Sequence, residues 1–307
     1  MKLLELFKSE HCNYVVKNRF ILNALMLLIV NGFSKKSLEI IRLSIQLKQV
    51  RKARILVRKK IKETNTFKKN VQDTRSHENV WVCWFQGIES APTLVKKCYE
   101  RMCQLEGKRV TLITKENYKE YTKFPKHIID KWESGLITPT HFSDLLRVEL
   151  LSLHGGIWLD STVYLTSEKL PDYIERSSFF CYRVLKPGLS GHSIICSSWA
   201  MSGSKGNVIL SLTKDIIYEY WEKNNHLSDY FLFHIILSAV ILEAENFGVV
   251  FPKQCNSIPH ILQLEMYSKF DDRRMCQITN STPIHKLTYK LAKDKCIKNT
   301  FIGHILG

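Results

Sequence analysis

Residues 142–162 read FSDLLRVELLSLHGGIWLDST, and this stretch decides the fold class. Its first part belongs to a strongly apolar helix expected over Thr140–His154, closed by Gly155-Gly156. Asp144 and Arg147 are three residues apart, so they share one face of that helix. The glycine pair permits a tight turn. A short apolar strand, Ile157–Leu159, then runs into Asp160, followed by the hydroxyls of Ser161 and Thr162. A helix feeding a buried strand is a unit of an α/β fold. In such folds ligands bind beyond the carboxyl ends of the strands, where Asp160 stands.

The same rhythm continues on both sides. Val80–Phe85 (VWVCWF) and Arg109–Thr114 (RVTLIT) read as strands, with a helix expected over Pro92–Leu105 between them and irregular helix over residues 115–136. Further strands are expected near Phe179–Val184 and Ile194–Met201, and helices near Val208–Lys223 and Ser228–Glu245. Lys205-Gly206-Asn207 reads as a turn. The alternation predicts a mainly parallel sheet covered by helices.

Composition separates the N-terminal part from the rest. The net charge is +16, yet residues 1–70 hold 17 Lys/Arg against 4 Asp/Glu, while the remainder holds 28 against 25. Two units are therefore expected: a basic helical extension over residues 1–70 and a nearly neutral α/β domain over 71–307. Residues 1–33 suggest one or two short helices, and 35–62 one long helix with 11 basic residues and one acidic. Leu43, Leu47, Val50, Val57 and Ile61 form its apolar stripe. Residues 63–78 are polar and read as a linker. The apolar run Phe20–Val30 has eleven residues, against about 20 for a spanning helix. It starts too far from Met1 and lacks the cleavage pattern of a signal peptide. Nine scattered cysteines, with no C-x-x-C pair, argue for reduced thiols in a cytosolic setting and against a zinc site.

Two carboxylates, one guanidinium and two hydroxyls gathered at one rim suit a nucleotide-sugar. Its diphosphate wants a cation, and its sugar hydroxyls want bidentate carboxylate and guanidinium partners. Asp144 with Arg147 alone would pass for a helix ion pair, and Asp160 alone for a strand-end turn residue; the whole string favours chemistry.

SDLLR followed by GGIWLD, with the two aspartates sixteen positions apart, resembles the signature of the DxD-motif sugar transferases in the capsular polysaccharide synthesis family. It is similar also to glycosyltransferase family 32 and the glucosylating clostridial toxins. WVCWFQG (81–87), DYFLFH (229–234) and PIHKLTYK (283–290) extend the resemblance over roughly residues 79–291, leaving 1–70 outside it. It implies a GT-A nucleotide-sugar fold, a Rossmann-like mixed sheet with helices on both faces, and retaining transfer of a hexose, galactose or glucose favoured, from a UDP-sugar to a lipid-linked glycan acceptor.

Carried over residue by residue, the resemblance gives Asp144 and Arg147 the donor sugar hydroxyls and Asp160 the ribose and metal site. It sets Trp84, with Phe85 beside it, on the uracil, core packing being an equal alternative for Trp84. Ser161 and Thr162 complete the nucleotide-sugar contacts. The D-x-D pattern has become Asp160-Ser161-Thr162 in this sequence, so a hydroxyl stands where a second metal-binding carboxylate is usual. His285 is the candidate to complete the metal set with Asp160 and Thr162, for Mn2+ or Mg2+, and Lys286 and Lys290 to hold the phosphates. Asp229 reads either as the cap of the helix after it or as an acceptor-side catalytic group. His234 reads as a packed core residue.

The basic helix is amphipathic and follows an apolar segment, which favours an anionic membrane surface over nucleic acid as its partner. The expected location is cytoplasmic, peripherally attached to the inner face of the cell membrane. Two other readings stand beside the transferase: an inactive homologue acting as a binding or scaffold subunit, suggested by Thr162, and a nucleic-acid-binding protein, suggested by the basic arm alone.

Overall fold

The computed structural model describes residues 20–64, 77–185, 192–292 and 296–307. The start of the N-terminal segment and most of the expected linker lie outside these residues. In sequence order the elements begin with α1 (Phe20–Asn31), α2 (Lys35–Thr64), β1 (Asn79–Cys83), α3 (Thr93–Cys103) and β2 (Arg109–Ile113). Next come α4 (Tyr118–Tyr121), α5 (Lys126–Glu133), α6 (Pro139–His154), β3 (Gly156–Leu159) and β4 (Val163–Leu165). Then follow α7 (Asp172–Glu175), β5 (Phe179–Arg183), β6 (Cys196–Gly203), α8 (Val208–Lys223) and α9 (Leu232–Asn246). The last elements are α10 (Ile261–Leu264), α11 (Asp272–Ser281), β7 (Ile284–Lys286) and α12 (Phe301–Leu306).

The main sheet has the order β2-β1-β3-β6-β5. Strands β2, β1 and β3 run parallel, while β6 is antiparallel to β3 and to β5. The sheet is thus mixed, where strand-helix alternation alone predicted a mainly parallel one. No helix lies between β5 and β6 among the described residues, so the pair closes as an antiparallel return. Alternation along the strands feeds two cores. Trp81, Trp158, Cys181 and Met201 face the side covered by α2, α6, α8 and α9. Val80, Val82, Ile157, Leu159, Phe180 and Tyr182 face the side covered by α3 and the C-terminal elements. This is the expected α/β class, with helices on both faces of a Rossmann-like sheet.

Helix α6 starts on Thr138, whose side chain accepts the N–H of His141, with Pro139 in the first turn. It ends on Gly155, at φ 72°. Gly156 has φ 110°, and a Cβ there would lie 2.6 Å from Asn79 O and 3.0 Å from Trp81 Nε1. The turn that aims β3, and hence Asp160, needs this glycine. Gly156→Ala is expected to destabilise the fold by about 3 kcal/mol in denaturant unfolding. Gly248→Ala, also at positive φ but in open space, should lose only about 1 kcal/mol.

Helix α2 packs on α9 through its second half, with Val50, Ala53, Val57 and Ile61 buried in the main core. Arg54 Nε and Arg58 Nε reach Glu243 Oε1 and Oε2 at 2.5 and 2.9 Å. Leu43 and Leu47, expected in the buried stripe, are exposed. The first half of α2 packs instead against α1, and Ile41 is buried.

Candidate active site

The site forms where α6, the end of β3, β6 and β7 converge. Arg147 is its hub. From α6 it donates through Nη1 to Asp144 Oδ1 at 2.5 Å and to Ser198 Oγ on β6 at 2.8 Å. Through Nη2 it donates to Asp160 Oδ1 at 2.9 Å. Its guanidinium also lies 4.8 Å from the centre of the Trp158 ring. One fork therefore fixes three side chains from three elements, which lysine's single ammonium cannot do.

Asp160 is the meeting point at the strand end. Oδ1 also accepts the Trp158 indole N–H at 2.9 Å, and Oδ2 accepts Lys286 Nζ at 3.2 Å. Burial raises its carboxyl pKa, but Lys286 and Arg147 outweigh this and hold it below the usual range. Burial likewise opposes ionisation of Asp144, and the neighbouring His141 imidazole and the Arg147 guanidinium overcome it, so its pKa too is lowered. The Trp221 indole N–H donates to His141 Nε2 at 2.9 Å. A neutral His141 must then carry its proton on Nδ1, which lies 3.7 Å from Asp144 Oδ2.

Lys286 comes from β7, which pairs antiparallel with β4 so that Lys286 lies opposite Val163. Its Nζ donates to Thr162 Oγ1 at 2.5 Å as well as to Asp160. The tight turn is closed by Val163 N donating to Asp160 O at 2.9 Å, and Leu287 N donates to Thr162 O at 2.9 Å. Exposure grades along the cluster: the side chains of Asp160 and Lys286 are 29 % and 19 % exposed, that of Arg147 4 %. The open end is thus Asp160 with Lys286, and the closed end is Arg147 with Asp144.

The structure brings Asp144, Arg147, Asp160, Thr162 and Lys286 together, and it leaves others apart. His285 is fully buried, because successive strand residues face opposite sides. Its Nε2 lies 3.3 Å from Thr166 Oγ1, and burial lowers its pKa to about 4. The expected role of His285 beside Asp160 is corrected by this register. Phe85, half-buried, packs against Trp132 and Phe142 at the edge of the core, at ring distances of 5.4 and 5.9 Å. Trp84 follows β1, half-buried, with its ring 5.4 Å from that of Tyr289 and edge-on to it. Its indole N–H is buried and has no hydrogen-bond partner among the described residues. Asp229 Oδ1 accepts the N–H of Phe231 at 2.7 Å, so it caps the turn before α9. Lys290 is exposed, one residue past Tyr289, and Ser161 is half-buried in the turn after Asp160.

His234, read as a core residue, joins the network. Its Nε2 lies 2.9 Å from Ser198 Oγ, which also receives Arg147. Burial lowers its pKa, which favours the neutral ring, and Nε2 and the serine hydroxyl share one hydrogen bond whose donor is set by the tautomer. Its Nδ1 is buried without a partner. Periodicity gives no sign of this role, because Ser198 comes from a strand 36 residues earlier.

The rim offers a divalent cation few protein donors. Asp160 supplies one carboxylate, Thr162 a hydroxyl that already receives Lys286, and His285 is turned away. Among the described residues no group of three or more His, Cys, Asp or Glu is placed to hold a metal. The Lys286 ammonium stands against Asp160 Oδ2 and Thr162 Oγ1, so a cation is already placed where a divalent ion would sit, and a metal there would have to take its remaining ligands from the diphosphate and water.

A profile of the capsular polysaccharide synthesis protein family matches residues 34–305. The chain belongs to this family. The match takes in the long basic helix α2, which the resemblance in motifs had left outside. Among proteins of known activity, this member of the capsular polysaccharide synthesis family is 27 % identical over 171 residues to the O-glycosyltransferase PaGT of Phomopsis amygdali, covering 50 % of its own length and 41 % of that protein. It therefore matches about two-fifths of that relative's length. Among solved structures, the PaToxG glycosyltransferase aligns with a TM-score of 0.37 and 15 % identity, over 68 % of this protein and 86 % of that one.

Proposed function

We propose that this protein is a glycosyltransferase that moves a hexose from a UDP-sugar to a lipid-linked glycan acceptor, with retention at the anomeric carbon. The observation that carries the reading is the Arg147-centred network, open at Asp160 and Lys286 and closed at Asp144. Membership of the family and the similarity to a glycosyltransferase support it. The open end suits a diphosphate. Lys286 can exchange its contact with Asp160 for a phosphate oxygen, and Lys290 lies on the same segment. The Arg147 fork and Asp144 offer donors and acceptors for adjacent sugar hydroxyls. Trp84 and Tyr289 offer aromatic surface, and the Trp84 N–H a hydrogen bond, to the nucleobase.

In this reading the cation that stabilises the leaving diphosphate is Lys286, and Mn2+ or Mg2+ is dispensable. A preorganised ammonium needs no reorganisation when the anomeric bond breaks. UDP-hexose turnover is accordingly expected to persist in chelator and to fall about a hundredfold in Lys286→Met. Turnover that disappears in chelator and returns with manganese would restore the metal reading and leave the transferase standing. NMR of the product anomer tests retention.

A further inference from the structure

Helix α1 carries an unbroken apolar stripe on its outer face. Leu22, Leu25, Met26, Ile29 and Val30 recur at helical spacing, Phe33 follows in the turn after the helix, and all are exposed, Ile29 and Phe33 by 83 % and 82 %. Asn23, Ala24, Leu27 and Leu28, on the α2 side, are less exposed. The hairpin is built. Gly32 turns at φ 68°, Ser34 Oγ accepts the N–H of Ser37, and Ser37 Oγ donates to Asn31 O at 2.9 Å. Leu38, Ile40, Leu43 and Leu47 on the first half of α2 extend the apolar surface. An exposed apolar face of this kind on a monomer marks an interaction site.

Its border selects the partner. Lys35, Lys36, Arg42 and Arg51 are exposed beside the patch, and Glu39 is the one acidic residue between positions 20 and 62. Two copies docked face to face about a two-fold axis would bring these like charges together. A phospholipid surface with anionic headgroups matches both features. Helix α1 has 12 residues, or about 18 Å, against about 30 Å for a hydrocarbon core. It is suited to lie in the interface and not to span it, and no helix among the described residues is long and apolar enough to cross a membrane.

We infer that the α1–α2 hairpin is a lipid-surface wedge: α1 inserts its apolar stripe among the acyl chains, and the basic residues at its border meet anionic headgroups. This differs from attachment by charge through α2 alone. The second half of α2 is committed to the protein, with Val57 fully buried and Arg54 and Arg58 tied to Glu243. The wedge also lies near the candidate site. Arg42 stands 4.9 Å over the Phe231 ring, and Phe231 packs edge-on to His234, which reaches Arg147 through Ser198. Lipid binding by the wedge is independent of the transferase reading; that it brings the site to a lipid-borne acceptor rests on that reading.

Flotation of the full-length protein with phosphatidylcholine vesicles, with and without phosphatidylserine, tests the inference. Binding to the mixed vesicles should survive about 1 M salt, where charge attraction is screened within about 3 Å. Ile29→Asp with Phe33→Asp should weaken it on the order of a hundredfold, with melting temperature and UDP-hexose hydrolysis unchanged. Lys35→Glu with Lys36→Glu should reduce binding to the mixed vesicles and leave the weaker binding to phosphatidylcholine alone. Wild-type binding by the Asp pair, or complete release by salt, would overturn the wedge. So would a wild-type dimer in light scattering that the Asp pair converts to monomer without any vesicle binding, since the stripe would then be covered by a second copy. Loss of hydrolysis alone would bear on the transferase reading and not on the wedge.

Discussion

Asp160→Asn is expected to abolish transfer while leaving the fold intact. The substitution keeps the shape and removes the charge. With its carbonyl oxygen facing Trp158 and Arg147, the new amide NH2 faces Lys286, donor against donor. Lys286 then loses its charged partner at the diphosphate end and keeps only the Thr162 hydroxyl. The loss of a preorganised electrostatic group of this kind costs about 3–4 kcal/mol of transition-state stabilisation, a hundredfold or more in rate. Arg147 retains Asp144 and Lys286 can turn to solvent, so melting should shift little. Turnover and thermal melting of the purified variant check both halves. Near-normal turnover would remove Asp160 from the centre of the mechanism.

Replacing Arg147 should have two separable effects. Arg147→Ala leaves the Asp144 carboxylate, whose side chain is 10 % exposed, without its ion-pair partner. Breaking a buried pair in this way costs about 3–5 kcal/mol of stability, so the loss of activity in this variant is compounded by unfolding. Arg147→Lys keeps a charge in the core and sacrifices the fork that joins Asp144, Ser198 and Asp160. This variant should fold, bind free UDP within about threefold of wild type, and use the sugar donor on the order of a hundredfold less well. Asp144→Asn should follow the same pattern. Calorimetry with UDP and steady-state kinetics with UDP-hexose separate the two quantities. If UDP affinity fell as far as turnover, Arg147 and Asp144 would serve the nucleotide and not the sugar.

The α6–turn–β3 unit is legible in the sequence because its signals are local. A leucine-rich helix, two glycines and a strand ending in aspartate lie within 21 consecutive residues, and each sets its own conformation. Strand direction is not legible in the same way. Strands β5 and β6 carry apolar residues that suit either direction, and the pair is antiparallel across a short connection in which no helix lies among the described residues. The choice between His285 and Lys286 is hidden for a related reason. Which residue faces Asp160 depends on the pairing of β7 with β4, about 120 residues away, and one step of register exchanges them. His234 is hidden because its partner Ser198 belongs to another element. In α2 the stripe holds at Val50, Val57 and Ile61 and fails at Leu43 and Leu47, since the buried face runs through Ile41, Gln46 and Gln49 in the first half of the helix and leaves both leucines off it.

The most direct measurement is the release of UDP from a panel of UDP-hexoses by the full-length protein, with Asp160→Asn as the control. The account predicts slow, saturable release of UDP and free hexose from at least one donor, UDP-galactose or UDP-glucose foremost, and its loss in Asp160→Asn. No release and no thermal stabilisation by any nucleotide-sugar, with the wild-type protein folded, would contradict the claim that this network is the donor site of a sugar transferase.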